Sequence, residues 1–148
     1  MCFIARAIGD RHGKLDVYRP GTARPHLAEG DAHDLRNRLV QEGAIFQTDS
    51  DSEVIIHLIA RSRRKTIDGQ IDDALTYLEG AFSLIISVGD TLYAVRDPKG
   101  FRPLVLGRKD SGFVVASETC ALDIISAEFI RDVYPGEVLR LRGNKITP

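Results

Sequence analysis

A chain of 148 residues with 43% hydrophobic and 28% charged side chains can bury one real core, and its composition is that of an ordinary globular domain. A net charge of −1 excludes a broad nucleic-acid footprint, because covering phosphates takes a clear basic excess. No run approaches the roughly 18 apolar residues of a membrane span, so neither nucleic acid nor membrane is an expected partner. Met1-Cys2-Phe3-Ile4-Ala5-Arg6 lacks the basic and apolar regions of a secretory signal. Two cysteines far apart, Cys2 and Cys120, make neither a disulfide framework nor a metal motif, and a reducing cytoplasm is the expected compartment. His12, His26, His33 and His57 show no paired ligand spacing, and no metal or cofactor is expected.

In chain order, residues 4–8 and 14–18 read as short strands joined around Asp10-Arg11-His12-Gly13. The stretch Pro20-Gly21-Thr22-Ala23-Arg24-Pro25 then breaks any regular element and reads as a linker or loop. Asp31 is placed to cap a helix that buries Leu35, Leu39 and Val40 and leaves through Gly43. Ser50-Asp51-Ser52-Glu53 has the form of a capping box, with the Ser50 hydroxyl on the amide of Glu53 and the Glu53 carboxylate on the amide of Ser50. Behind it Val54, Ile55, Leu58 and Ile59 form the buried stripe of a second helix. The basic run Arg61-Ser62-Arg63-Arg64-Lys65 follows, where cations complement the negative end of the helix dipole and face solvent. A third helix over residues 68–78 buries Ile71, Leu75 and Leu78 and ends at Gly80.

After Gly80 the hydrophobic period changes. Residues 81–88, 91–96, 103–106 and 113–116 read as strands separated by short turns, which requires antiparallel neighbours. A short helix over 118–125 precedes two extended pieces, 129–133 and 137–141. Cys120, between apolar neighbours on that helix, reads as a small core residue. Helices first and an antiparallel meander second make an α+β domain with helices packed on a sheet.

Three segments carry a family resemblance. Ile45-Phe46-Gln47-Thr48-Asp49-Ser50-Asp51-Ser52-Glu53-Val54-Ile55-Ile56-His57-Leu58-Ile59, Asp97-Pro98-Lys99-Gly100-Phe101-Arg102-Pro103-Leu104, and Ala116-Ser117-Glu118-Thr119-Cys120-Ala121-Leu122-Asp123 with Pro135-Gly136-Glu137 stand in the right order and spacing. Together they resemble the N-terminal-nucleophile glutamine amidotransferase domain of the amidophosphoribosyltransferase family. The resemblance divides the chain into divergent N-terminal strands and linker, 1–30, and a glutaminase-like domain, 31–148. It implies a truncated form of the αββα N-terminal-nucleophile hydrolase sandwich.

The resemblance also implies the chemistry: hydrolysis of the glutamine side-chain amide, with ammonia passed to a phosphoribosyl pyrophosphate site in a second domain. No segment here is similar to that second domain, so transfer to a phosphorylated sugar is not expected of this chain alone. Cys2 occupies the place of the nucleophile, whose own α-amine, freed by loss of Met1, serves as base. Asp51 matches the aspartate that binds the substrate α-amine. Ser50 can serve the same pocket, although capping alone accounts for it. The family's Arg-Tyr-Ser-Thr carboxylate clamp and Asn-Gly oxyanion pair are not found in this sequence, and Arg24-Pro25-His26-Leu27-Ala28-Glu29-Gly30 stands in their place. Weak or no glutaminase activity is expected on that ground. The alternative is a non-catalytic oligomeric scaffold or small-molecule-binding module. Strands missing from one sheet leave apolar surface open, so a homo-oligomer is expected on either reading.

Overall fold

The structure, a computed structural model, describes residues 4–7, 15–18 and 32–142, with side chains from residue 33 onward. Its elements run β1 (Ile4–Ala7), β2 (Leu15–Tyr18), α1 (Ala32–Gln41), α2 (Asp51–Arg61), α3 (Ile67–Leu75), β3 (Ser83–Val88), β4 (Thr91–Arg96), β5 (Val105–Lys109), β6 (Gly112–Ala116), α4 (Thr119–Ile124), β7 (Glu128–Asp132) and β8 (Val138–Arg142). Contacts divide the chain into two compact units, Gly21–Gly80 and Met1–Pro20 with Ala81–Pro148. The fold is α+β, with antiparallel sheets and helices.

In the helical unit, Leu39, Ala44, Val54, Leu58 and Ala74 form a buried cluster, with Leu35, Phe46, Ile59, Tyr77 and Leu78 packed at its margin. The chain leaves α1 through Gly43, whose φ of 87° suits a residue without a Cβ. Val40, expected in the core, is half exposed, because only the Leu35–Leu39 side of α1 faces α2. α3 is shorter than expected. Thr66 starts it, its hydroxyl accepting from the Gly69 amide at 3.2 Å, and Ala74 rather than Leu75 is fully buried. The proposed Asp31 cap lies outside the described residues.

The other unit contains two four-stranded antiparallel sheets, ordered β1-β6-β5-β7 and β2-β8-β4-β3. Ala94, Leu139 and Leu141 from one sheet meet Leu106, Phe113 and Val115 from the other, in a core completed by Leu104 and Val133. The opposite face of β5 and β6, carrying Val105, Val114 and Ala116, packs on Ala121 and Leu122 of α4. β6 is therefore buried on both faces, which is why Phe113, Val114, Val115 and Ala116 read as an unbroken apolar run.

Each strand over 81–116 pairs antiparallel, as the turn signals require, but the four do not lie in one meander. β3–β4 and β5–β6 are separate hairpins in different sheets. The reason lies in residues 97–104, which carry the chain across the sandwich. Asp97 is fully buried, and its carboxylate accepts the backbone amides of Lys99, Phe101 and Arg102 at 2.9, 3.2 and 3.2 Å. Its main-chain carbonyl accepts the amides of Gly100 and Gly136. Arg96 closes the segment by donating to the carbonyls of Arg102, Val133 and Gly100 at 2.8, 2.6 and 3.0 Å. With its amides turned inward onto one carboxylate, this stretch cannot serve as a hairpin turn.

Among the described residues, no helix is long and apolar enough to cross a membrane.

Candidate functional site

The residues assigned to substrate binding lie at the start of α2. Ser50 is the N-cap, with extended backbone (φ −74°, ψ 133°), and its hydroxyl accepts from the Ser52 amide at 3.3 Å. Asp51 is the first helical residue, exposed, with no hydrogen-bond or ion-pair partner for its carboxylate among the described residues. A carboxylate there is favoured by the helix dipole and remains open to a cationic ligand. Cys2, assigned as nucleophile, lies outside the described residues, as does the 24–30 segment.

The capping box differs from its expected form. Glu53 passes over Ser50 and accepts the amides of Gln47 and Thr48, each at 2.8 Å, and the Thr48 hydroxyl at 2.7 Å. The Ser50 amide is held instead by the Thr48 hydroxyl oxygen at 3.2 Å. Thr48 makes this possible: a hydroxyl two residues before the cap relays the bond, and the longer glutamate reaches the next turn of chain. The Gln47 amide first, then the Thr48 hydroxyl, with the Thr48 amide and Arg36 adding to them, holds the Glu53 carboxyl below its ordinary value of 4.5 against the opposing cost of desolvation.

The carbonyls of the same stretch are held from α1. Arg36 donates to Thr48 O at 2.5 Å and to Ser50 O at 3.3 Å, while its guanidinium lies 4.1 Å over the Phe46 ring. Phe46 in turn meets His57, with ring centroids 4.5 Å apart. Sequence reasoning missed Arg36 altogether, since nothing local marks a residue whose partners are 12 and 14 positions away.

The remaining candidate, Cys120, belongs to the other unit. Cys120 is exposed, not buried as expected, because it lies on the side of α4 away from Ala121 and Leu122; its thiol is 3.4 Å from a Glu118 carboxylate oxygen. Among the described residues no three His, Cys, Asp or Glu side chains converge as a metal would require.

A protein-family model described as a glutamine amidotransferase domain matches residues 30–123, which include α1, α2, both hairpins and the Asp97 crossing. The chain belongs to the glutamine amidotransferase domain family. Within that family it is related to amidophosphoribosyltransferases. It is 56% identical over 106 residues to amidophosphoribosyltransferase 2, chloroplastic, of Arabidopsis thaliana, covering 71% of this chain and 19% of that protein. The amidophosphoribosyltransferase of Staphylococcus epidermidis is 45% identical over 108 residues, covering 72% and 22%. Two solved structures are similar. One, described as the allosteric regulatory enzyme of purine biosynthesis, has a TM-score of 0.73 at 36% identity over 94% of this chain and 26% of that one. The other, the glutamine phosphoribosylpyrophosphate amidotransferase of B. subtilis with ADP and GMP, has a TM-score of 0.73 at 37% identity, over 93% and 29%. This amidotransferase chain thus spans about a fifth of the length of the curated relatives it matches.

Proposed function

We propose that the chain is a glutaminase domain whose hydrolysis of glutamine is slow or below detection. The observation that carries this reading is Asp51: it stands at the start of α2 inside the matched family region, with its carboxylate unpartnered among the described residues and so open to the α-ammonium of an amino acid. Cys2, after removal of Met1, supplies thiol and base together. The α-amine takes the thiol proton, the sulfur bonds to the side-chain amide carbon, and that carbon's bond to nitrogen breaks. The nitrogen leaves as ammonia with the proton the amine returns to it, and water then hydrolyses the thioester to glutamate. Without the Asn-Gly pair, acylation lacks oxyanion donors, and loss of one such donor costs about a hundredfold to a thousandfold in rate. The missing Arg-Tyr-Ser-Thr segment removes positioning as well.

The test combines mass and kinetics. Intact mass before and after a glutamine-like electrophile reports Met1 removal and thiol labelling together. Cys2→Ala is expected to abolish label and any ammonia release. Asp51→Ala is expected chiefly to raise the glutamine concentration required. Ammonia release that survives Cys2→Ala overturns the nucleophile assignment.

A second reading, an oligomeric scaffold without chemistry, is favoured by exposed apolar side chains on and just after β7: Phe129, Ile130 and Tyr134, each 40–51% exposed. Retention of Met1 with no thiol labelling selects it.

A further inference from the structure

The stretch that delivers Asp51 to α2 is gripped from two sides, and neither grip is part of the reaction just proposed. Its amides are taken by Glu53, directly at Gln47 and Thr48, and through the Thr48 hydroxyl at Ser50. Its carbonyls at Thr48 and Ser50 are taken by Arg36, which leans on Phe46 from α1. A helix start needs much less, since the Ser50 hydroxyl already serves the Ser52 amide. Meanwhile the Asp51 carboxylate has no partner among the described residues to orient it, so its direction is inherited from the backbone before it.

The geometry points to Glu53 and Arg36 as positioning residues: by locking the chain over 46–50 they aim the Asp51 carboxylate at the α-ammonium of an amino-acid substrate. The inference rests on the glutamine reading above and adds to it the residues that set α-amine recognition. A charge-assisted hydrogen bond depends on both distance and angle, so a loosened Asp51 loses discrimination for the amine before it loses general affinity.

The experiment titrates the whole chain, followed by NMR, with glutamine and with glutaramate, which keeps the carboxylate and amide but lacks the α-amine. The unaltered chain is expected to prefer glutamine by about tenfold or more, the worth of one charge-assisted hydrogen bond. Asp51→Asn serves as the control that removes the preference. Glu53→Gln, and separately Thr48→Val, are expected to bring it close to one while circular dichroism and melting report a folded chain. A folded Glu53→Gln and a folded Thr48→Val that both keep the full preference overturn the inference and leave the glutamine reading standing. If Glu53→Gln does not fold, Thr48→Val decides; if neither folds, the contacts serve stability alone and the inference falls. An unaltered chain that shows no preference overturns the glutamine reading itself, and this inference with it.

Discussion

Asp97 shows what one side chain contributes here. Burial opposes its ionisation, yet the amides of Arg102, Phe101, Lys99 and Gly100 outweigh that cost and hold its carboxyl below the ordinary 3.8. Between the folded and unfolded values the unfolded chain binds more protons, so falling pH favours unfolding. The stabilisation is complete above the unfolded value and is lost as pH drops through the lower folded one. Glu53, lowered from 4.5, acts in the same direction. Asp97→Asn is therefore expected to destabilise at neutral pH by about 1–3 kcal/mol, through the Arg102 amide left without its acceptor on Oδ2, and to flatten the loss of stability below pH 4. Urea unfolding at pH 7 and pH 3 measures both effects. Glu137 is another buried carboxylate. It is 1% exposed, held by Arg131 at 2.7 and 3.1 Å and by the Tyr134 amide at 2.8 Å. Arg131→Met leaves that buried carboxylate without its cation, and a loss of about 3 kcal/mol is expected in the same assay.

At the scale of elements, two glycines are where close approach decides the path. A Cβ on Gly107 would lie 2.9 Å from the Glu128 carbonyl oxygen and from both terminal carbons of Leu122. β5 runs there between a bulged partner strand and α4, with the register shift falling between Leu106 and Gly107. Gly107→Ala is expected to cost about 1–3 kcal/mol by overpacking, read as a lowered denaturation midpoint with an unchanged slope. A Cβ on Gly100, which sits at φ 68°, would lie 2.7 Å from Pro135 Cγ. Alanine there adds left-handed backbone strain to the clash, and the larger loss of the two is expected. The helix starts obey local chemistry more simply. Ser50 and Thr66 cap α2 and α3 as Ser and Thr commonly do, through a hydroxyl on an amide of the first turn.

At the scale of the whole molecule the question is what covers β7. It is the outer strand of its sheet among the described residues, and it exposes Phe129 and Ile130. Its bulge leaves Ile130 without a partner on β5, and a bulged edge pairs poorly with another strand. Association is therefore expected through side chains and not by sheet extension. Light scattering at high micromolar concentration is expected to give a multiple of the 16.4 kDa chain mass, with Phe129→Lys shifting it toward the monomer. A monomer mass for the unaltered chain at that concentration refutes the expectation.

The amino-acid sequence by itself determined the order and type of the elements from α1 to β8. Helical spacing, cap residues and glycine exits act within a few positions, and short turns leave antiparallel pairing as the choice for each hairpin. It also located Asp51 and Ser50 at a helix start, through the Ser-x-x-Glu pattern and the family segments. Only the tertiary structure decided that β3–β4 and β5–β6 belong to different sheets, because the crossing depends on the inward amides of residues 99–102, on Arg96 reaching Val133, and on Gly136 meeting Asp97. It likewise decided the exposure of Val40 and Cys120, since an apolar residue flanking a helical stripe is buried only if another element comes to its side. The hold of Arg36 on the chain before α2 is of the same kind: its partners lie in a different element, and no local pattern encodes a hydrogen bond that packing creates.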